Sequence, residues 1–304
     1  MDGAGRAAIQ RGGPDGRAGL GAARLTRYLT TKELAETLRI GERKVYDLAA
    51  KGEVPCARVV GKLLFPEDEI RAWIASGRSG PTVADPPPIL AGSHDPLVDW
   101  ALLESRCGLA ALTDGSMDGL ARLARREASA ALVHVREPEG WNVRAVREAL
   151  GEAPVVLVQI AERRRGLLVA RGNPLGLRSV SDLAGRRVAR RQAGAASEAL
   201  LAEMLGGAAT EGPVARTEAE LARLVATGAA EAALGLEAAA REAGCGFVPL
   251  LTERLDLACW RRMYLEPPLQ RLMRFLAGPE ARRRAGEMGG YDLGGLGTVR
   301  FNGP

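Results

Sequence analysis

Over residues 28–74 the apolar positions change period twice, from helical to strand-like and back. Leu34, Ala35 and Leu38 recur at helical spacing, as do Val45, Leu48 and Ala49 a few residues later. The spacing predicts a helix starting at Lys32 and capped by Thr31, a turn at Arg39-Ile40-Gly41, and a second helix over residues 42–50 closed by Gly52. The pattern then becomes strand-like. Residues 57–60 and 63–65 flank Gly61-Lys62, a two-residue loop with hairpin chemistry. From Pro66 a third helix is expected, with Glu67, Asp68 and Glu69 in the first turn, where the dipole favours acids, and Ile70, Trp73 and Ile74 on its buried side.

This order reads as a helix-turn-helix with a small wing. The residues LTTKELAE-x-L, xVYxL, G-E-V-P, a short hairpin and AWI resemble the excisionase-type, MerR-like winged helix-turn-helix. The resemblance implies DNA binding. Family members often begin the second helix with Ser, where this chain has Gly41-Glu42. Charge is sorted along the unit: residues 39–62 carry six basic and three acidic side chains, and acids crowd into the third helix. The expected DNA-binding residues are Thr31, Glu42, Arg43, Lys44, Tyr46 and Lys51 around the second helix, with Arg58 and Lys62 on the hairpin.

From Ile89 onward, short apolar runs alternate with helical patterns, which predicts an α/β unit with a mainly parallel sheet and helices on both faces. The βα theme repeats after Leu167, giving two lobes joined by crossing segments. In such sheets a ligand sits beyond the carboxyl ends of the strands, here the loops Gly92-Ser93, Gly115-Ser116 and residues 192–197. Ser93, Ser116, Gln192 and Ser197 are the candidate ligand contacts, although a Ser in such a place also serves simply as a helix cap. Arg163-Arg164-Arg165 is expected to form a solvated hairpin turn, and Arg282-Arg283-Arg284 an exposed helix face. His94 is expected in a local structural role, and Trp260 either packs or lines the cleft.

The phrases GSHDPLVDW, TDGSMDGLARL, SVSDLAGRRVARRQAGAASEALL and VATGAAEAALGLEAAA are similar to the cytosolic periplasmic-binding-protein-like domain related to type II molybdate and tungstate binders. That resemblance implies a bound oxyanion, molybdate or tungstate, as the only cofactor-like group. The third loop departs from the family's N-R-Q-x-G-S-G-T-R: Arg190 replaces Asn, Glu198 replaces Arg, and Ser197 keeps a hydroxyl. Glu198 and Glu231 would repel an anion unless they face away or pair with Arg190 or Arg191, so an organic, partly cationic ligand stays open.

The net charge of +5 leans mildly towards nucleic acid. Four Cys without a CxxC pair and two His disfavour a zinc site or a disulfide framework. No signal core and no membrane-length apolar run occur, so a cytoplasmic protein is expected. GxSxG, Walker and HExxH patterns are missing, which argues against an enzyme. The expected organisation is a disordered basic arm (1–27), a winged helix-turn-helix (28–76), a linker (77–88) and a two-lobed binding domain (89–304). The expected function is a ligand-responsive transcriptional regulator, homodimeric on operator DNA. A ligand-binding protein whose first unit contacts another protein, or a molybdenum-cofactor-related protein, are the alternatives.

Overall fold

A computed structural model describes residues 27–77, 85–207 and 210–304. The expected basic arm and most of the expected linker lie outside them. The chain divides into two units after residue 83, and each is described by itself.

In the first unit β1 (Tyr28–Leu29) precedes α1 (Thr31–Leu38) and α2 (Glu42–Lys51), then β2 (Ala57–Val59), β3 (Lys62–Pro66) and α3 (Glu67–Ser76). The sheet order is β1-β3-β2. Leu34, Val45, Phe65 and Ile70 form a small core. Three expectations shift by one residue. Thr30, not Thr31, caps α1: its hydroxyl accepts the Glu33 amide while Glu33 reaches back to the Thr30 amide, so two orphan donors are met at once. Thr31 is instead buried in the first turn. The wing loop is Val60-Gly61, because Val59 pairs with Lys62. Both loop residues have positive φ, 48° and 78°, as a type I′ hairpin requires. Pro66 ends β3 opposite Tyr28 rather than opening α3. Gly41 precedes α2 with no side-chain cap, and Gly52 closes it with φ 69°.

The second unit begins with β4 (Ile89–Gly92), α4 (Pro96–Ser105), β5 (Ala110–Leu112), α5 (Ser116–Ala124) and β6 (Ala130–Val133). A hairpin of β7 (Arg136–Glu137) and β8 (Gly140–Trp141) leads into α6 (Val143–Leu150) and the long β9 (Val155–Val169). The other lobe holds β10 (Val188–Arg191), α7 (Ala196–Leu205), β11 (Val214–Ala215), α8 (Glu218–Ala226), β12 (Ala232–Leu236) and α9 (Glu237–Glu242). The chain returns along β13 (Gly246–Trp260) to α10 (Arg261–Tyr264), α11 (Pro267–Leu276), α12 (Pro279–Met288), β14 (Tyr291–Asp292) and β15 (Val299–Asn302).

One continuous sheet runs β11-β10-β12-β9-β13-β6-β4-β5, with β14 and β15 on β9. The outer strands pair in parallel, as alternation predicts, whereas β9 and β13 run antiparallel through both lobes. Alternate residues of these strands enter opposite faces: Val158 and Leu257 join one core of the first lobe, Leu157 and Ala258 the other. Leu167 and Leu168 do the same in the second lobe. Ser93 and Gln192 directly follow β4 and β10, and Ser116 and Ser197 lie in the first turns of α5 and α7. No helix among the described residues is long and apolar enough to cross a membrane.

Candidate functional site

In the first unit, Glu42, Arg43, Lys44, Tyr46, Asp47 and Lys51 are all exposed on α2, because Val45 and Ala49 turn inward and fix the helix's rotation. Arg43, Lys44, Lys51, Arg58 and Lys62 enter no ion pair among the described residues, so their charge is available. Arg58 and Lys62 border a cleft of about 660 Å³ that they share with Thr31, Lys32, Tyr46 and Asp47. The wing thus lies beside α2 as expected. Arg58 and Lys62 nonetheless leave opposite faces of the hairpin, since Arg58 pairs with Leu63 and Lys62 with Val59.

The candidate site between the lobes brings together the loops after β4, β5 and β10. Ser93 follows β4 and Ser116 opens α5; both are buried, and their Oγ atoms lie 2.7 Å apart. Ser116 Oγ also accepts the His134 amide at 3.2 Å. Ser93 does not cap α4. Asp95 does, taking the Val98 amide at 2.9 Å, so a carboxylate already occupies that helix start. By contrast α5 and α7 begin at Gly115 and Ala195 with no side-chain cap. These two starts come from opposite lobes and meet. Gly115 has φ 115°, and a Cβ there would stand 2.9 Å from the Gly194 carbonyl oxygen. Ser197 is buried in the first turn of α7, while Gln192 is half-buried, its Oε1 3.4 Å from Arg191 Nε.

Glu198 and Glu231 are turned to cations. Arg190 Nε donates to Glu198 at 2.8 Å, and Glu231 takes the Arg187 amide at 2.8 Å and pairs with Arg186. The pairing expected for Glu198 is therefore with Arg190. His94 meets Asp99 at 3.0 Å, a local contact. Trp260 packs against both cores of its lobe with Arg126 over its ring. Arg282 and Arg283 are exposed on α12 and Arg284 is half-buried.

The largest departure concerns Arg163-Arg164-Arg165. These residues form no turn. They lie within β9, and Arg163 and Arg165 are 1% and 0% exposed. Spaced two apart, they project from the same face. Arg163 reaches Asp95 and Glu253, both at 2.6 Å, and Arg165 reaches Glu253 at 2.6 Å and Glu218 at 3.2 Å. Arg191 adds a 3.3 Å contact to Glu218, and Tyr291 donates to Asp95 at 2.9 Å. A buried chain of polar contacts thus runs Tyr291, Asp95, Arg163, Glu253, Arg165, Glu218, Arg191 from one lobe to the other. Burial pushes the Glu218 carboxyl up, but Arg165, Arg191 and Arg163 reverse this and hold it at about 2. Glu253 is likewise driven up by burial and brought well below its ordinary value by Arg163 and Arg165. Burial lowers His134, which stands 3.5 Å from Glu253 and stays neutral.

Sequence reasoning missed this cluster. The available signal was negative: residues 155–165 contain no Gly, Pro, Asn or Asp to turn the chain, so the strand continues through the arginines.

Two family models match the chain. A PBP superfamily domain covers residues 101–277, and a helix-turn-helix domain covers residues 28–78. Uncharacterized protein YvgK of Bacillus subtilis (strain 168) is 24% identical over 303 residues, covering 90% of this chain and 98% of that protein. Among solved structures, a putative phosphate ABC transporter substrate-binding protein with bound phosphate from Clostridium perfringens superposes with TM-score 0.50 at 11% identity, covering 70% of this chain and 99% of its own. An ABC-type phosphate transport receptor from Vibrio cholerae gives TM-score 0.47 at 13% identity, covering 67% and 98%.

Proposed function

The chain belongs to the PBP superfamily and joins that domain to an excisionase-like helix-turn-helix, and from this union we propose a DNA-binding transcriptional regulator whose DNA affinity follows a small oxyanion held between its lobes. The observation that carries the ligand reading is the meeting of two uncapped helix starts, α5 and α7, beside the hydroxyls of Ser93, Ser116 and Ser197. Free N–H groups at helix starts and neutral hydroxyls replace the water shell of an anion. The pairing of Glu198 and Glu231 with arginines removes the repulsion that the sequence raised. Molybdate and tungstate are the first candidates through the family resemblance. Phosphate joins them as a probe.

On the DNA side, α2 enters the major groove with Arg43 and Lys44, and the wing follows the backbone with Arg58 and Lys62. One such unit covers few base pairs, too few for the usual specific affinity of roughly 10⁻⁸–10⁻¹¹ M, so the chain acts as a dimer on two half-sites. A ligand that moves a two-state regulator from 1:99 to 99:1 must prefer one state by roughly 5.5 kcal/mol.

The test combines gel-shift on DNA from upstream of the chain's own gene with isothermal titration of the full chain by molybdate, tungstate, phosphate and sulfate. The expected result is binding of at least one anion and a change in DNA affinity when it is present. Anion binding without any DNA binding would instead leave a ligand-binding protein whose first unit meets a protein partner.

A further inference from the structure

Two arginine nitrogens in the buried cluster face neither a hydrogen-bond nor an ion-pair partner among the described residues. Arg163 Nη2 and Arg165 Nη1 have no hydrogen-bond partner among the described residues, although both guanidinium groups are almost fully buried. Their other nitrogens face carboxylates: Arg163 Nη1 donates to Asp95, Arg163 Nε makes an ion-pair contact with Glu253 without a hydrogen bond, and Arg165 Nε and Nη2 donate to Glu253, with Nη2 also reaching Glu218. A guanidinium is planar, with five N–H groups in a fixed fork, so once two nitrogens are anchored the third cannot turn to find a partner. A buried charged donor left unmade is costly, and two of them sit two residues apart on one face of β9.

Their position gives them a use. Glu253, which joins the two arginines, also faces His134, whose backbone N–H holds Ser116 Oγ, which in turn contacts Ser93 Oγ. The unused nitrogens therefore belong to the same contiguous cluster as the paired hydroxyls and the meeting helix starts.

We propose that Arg163 and Arg165 are ligand-binding residues of the interlobe site, donating Nη2 and Nη1 to oxygens of the effector's oxyanion group. The proposal rests on the effector reading above and adds the residues that hold the anion from the crossing strand. The formal charges of Arg163, Arg165 and Arg191 are already balanced by Asp95, Glu218 and Glu253, and His134 is neutral. The anion is accordingly held by directed hydrogen bonds and helix starts rather than by surplus positive charge. That favours a ligand whose several oxygens reach several donors together, and disfavours a halide, which offers one point.

The test uses the full chain and molybdate, tungstate, phosphate and sulfate as probes in isothermal titration. Arg163→Lys and Arg165→Lys keep the charge but supply a single nitrogen, so each loses the spare donor. Each is expected to bind the anion that the parent binds at least ten-fold more weakly. Arg254→Lys, a paired arginine of β13 outside this cluster, is expected to bind within about three-fold of the parent. Parent-like affinity in both lysine variants overturns the proposal and leaves the effector reading standing. A parent that binds none of the four anions overturns both. Should the lysine variants fail to fold, a crystal structure of the parent with its anion decides: oxygens within about 3.2 Å of both spare nitrogens support the assignment, and an anion elsewhere refutes it.

Discussion

Asp95 holds Arg163 at 2.6 Å through the same carboxylate that caps α4, so a helix start in one lobe is fastened to the strand that crosses into the other. Asp95→Ala removes a cap, a loss of about 1 kcal/mol, and takes one of the two carboxylates from buried Arg163, leaving the cluster one positive charge in surplus, a further loss of up to about 3–5 kcal/mol. Asp95→Asn keeps an oxygen for the Val98 amide and is expected to destabilise less. Urea denaturation of the two variants checks the order.

Stability should fall on the acid side in two steps. Glu218 ionises at about 2 in the fold against an ordinary 4.5, so its contribution is present above pH 4.5 and is lost as pH falls towards 2. At about 1.4 kcal/mol per pH unit this amounts to roughly 3 kcal/mol. His134, lowered by burial, stays neutral in the fold while the unfolded chain takes up a proton below about 6.5, so stability also begins to drop there. Glu218→Gln is expected to flatten the lower step and His134→Gln the upper one, read from melting temperature against pH.

Gly115→Ala tests the approach of the lobes. The added Cβ would meet the Gly194 carbonyl at 2.9 Å, and the backbone there lies at φ 115°, which L side chains rarely adopt. A variant that keeps its far-UV spectrum but loses at least ten-fold in anion affinity is the expected outcome. Unchanged affinity would mean that the Gly115–Gly194 contact does not matter to binding.

On DNA, Arg43→Ala and Lys44→Ala should weaken operator binding selectively, by about 1–3 kcal/mol where a base contact is lost. Lys62→Ala should weaken all DNA alike and reduce the salt slope by about one unit. Fluorescence anisotropy across a salt series separates the two behaviours. Arg58 leaves the opposite face of the wing from Lys62, so Arg58→Ala and Lys62→Ala should differ in size.

Much of this fold was legible in the chain because local rules agreed with tertiary ones. Val45 and Ala49 set the rotation of α2, and the exposed set from Glu42 to Lys51 follows from helical period alone. Ser93, Ser116 and Ser197 stood out as candidates because strand ends followed by helices mark clefts, and the structure buries all three. The cap at Thr30 escaped because Thr30 and Thr31 adjoin and only Glu33, three residues after Thr30, separates them. The buried arginines escaped for a different reason. Three consecutive cations read as solvent-facing, and their partners Asp95, Glu218 and Glu253 lie 53 to 90 positions away, where no periodicity connects them.

The pairing of β9 with β13 is not uniform along its length. Its register slips between Pro249 and Leu251 and again between Leu255 and Asp256, and Glu253 lies between the two slips. Irregularities of this kind are where a ribbon bends most readily. The crossing strands therefore resemble a bar scored on both sides of a knot: flexing at either score changes the reach of Glu253 to Arg163 and Arg165 together. Any rocking of one lobe against the other would be translated at that knot into the making or straining of charged contacts.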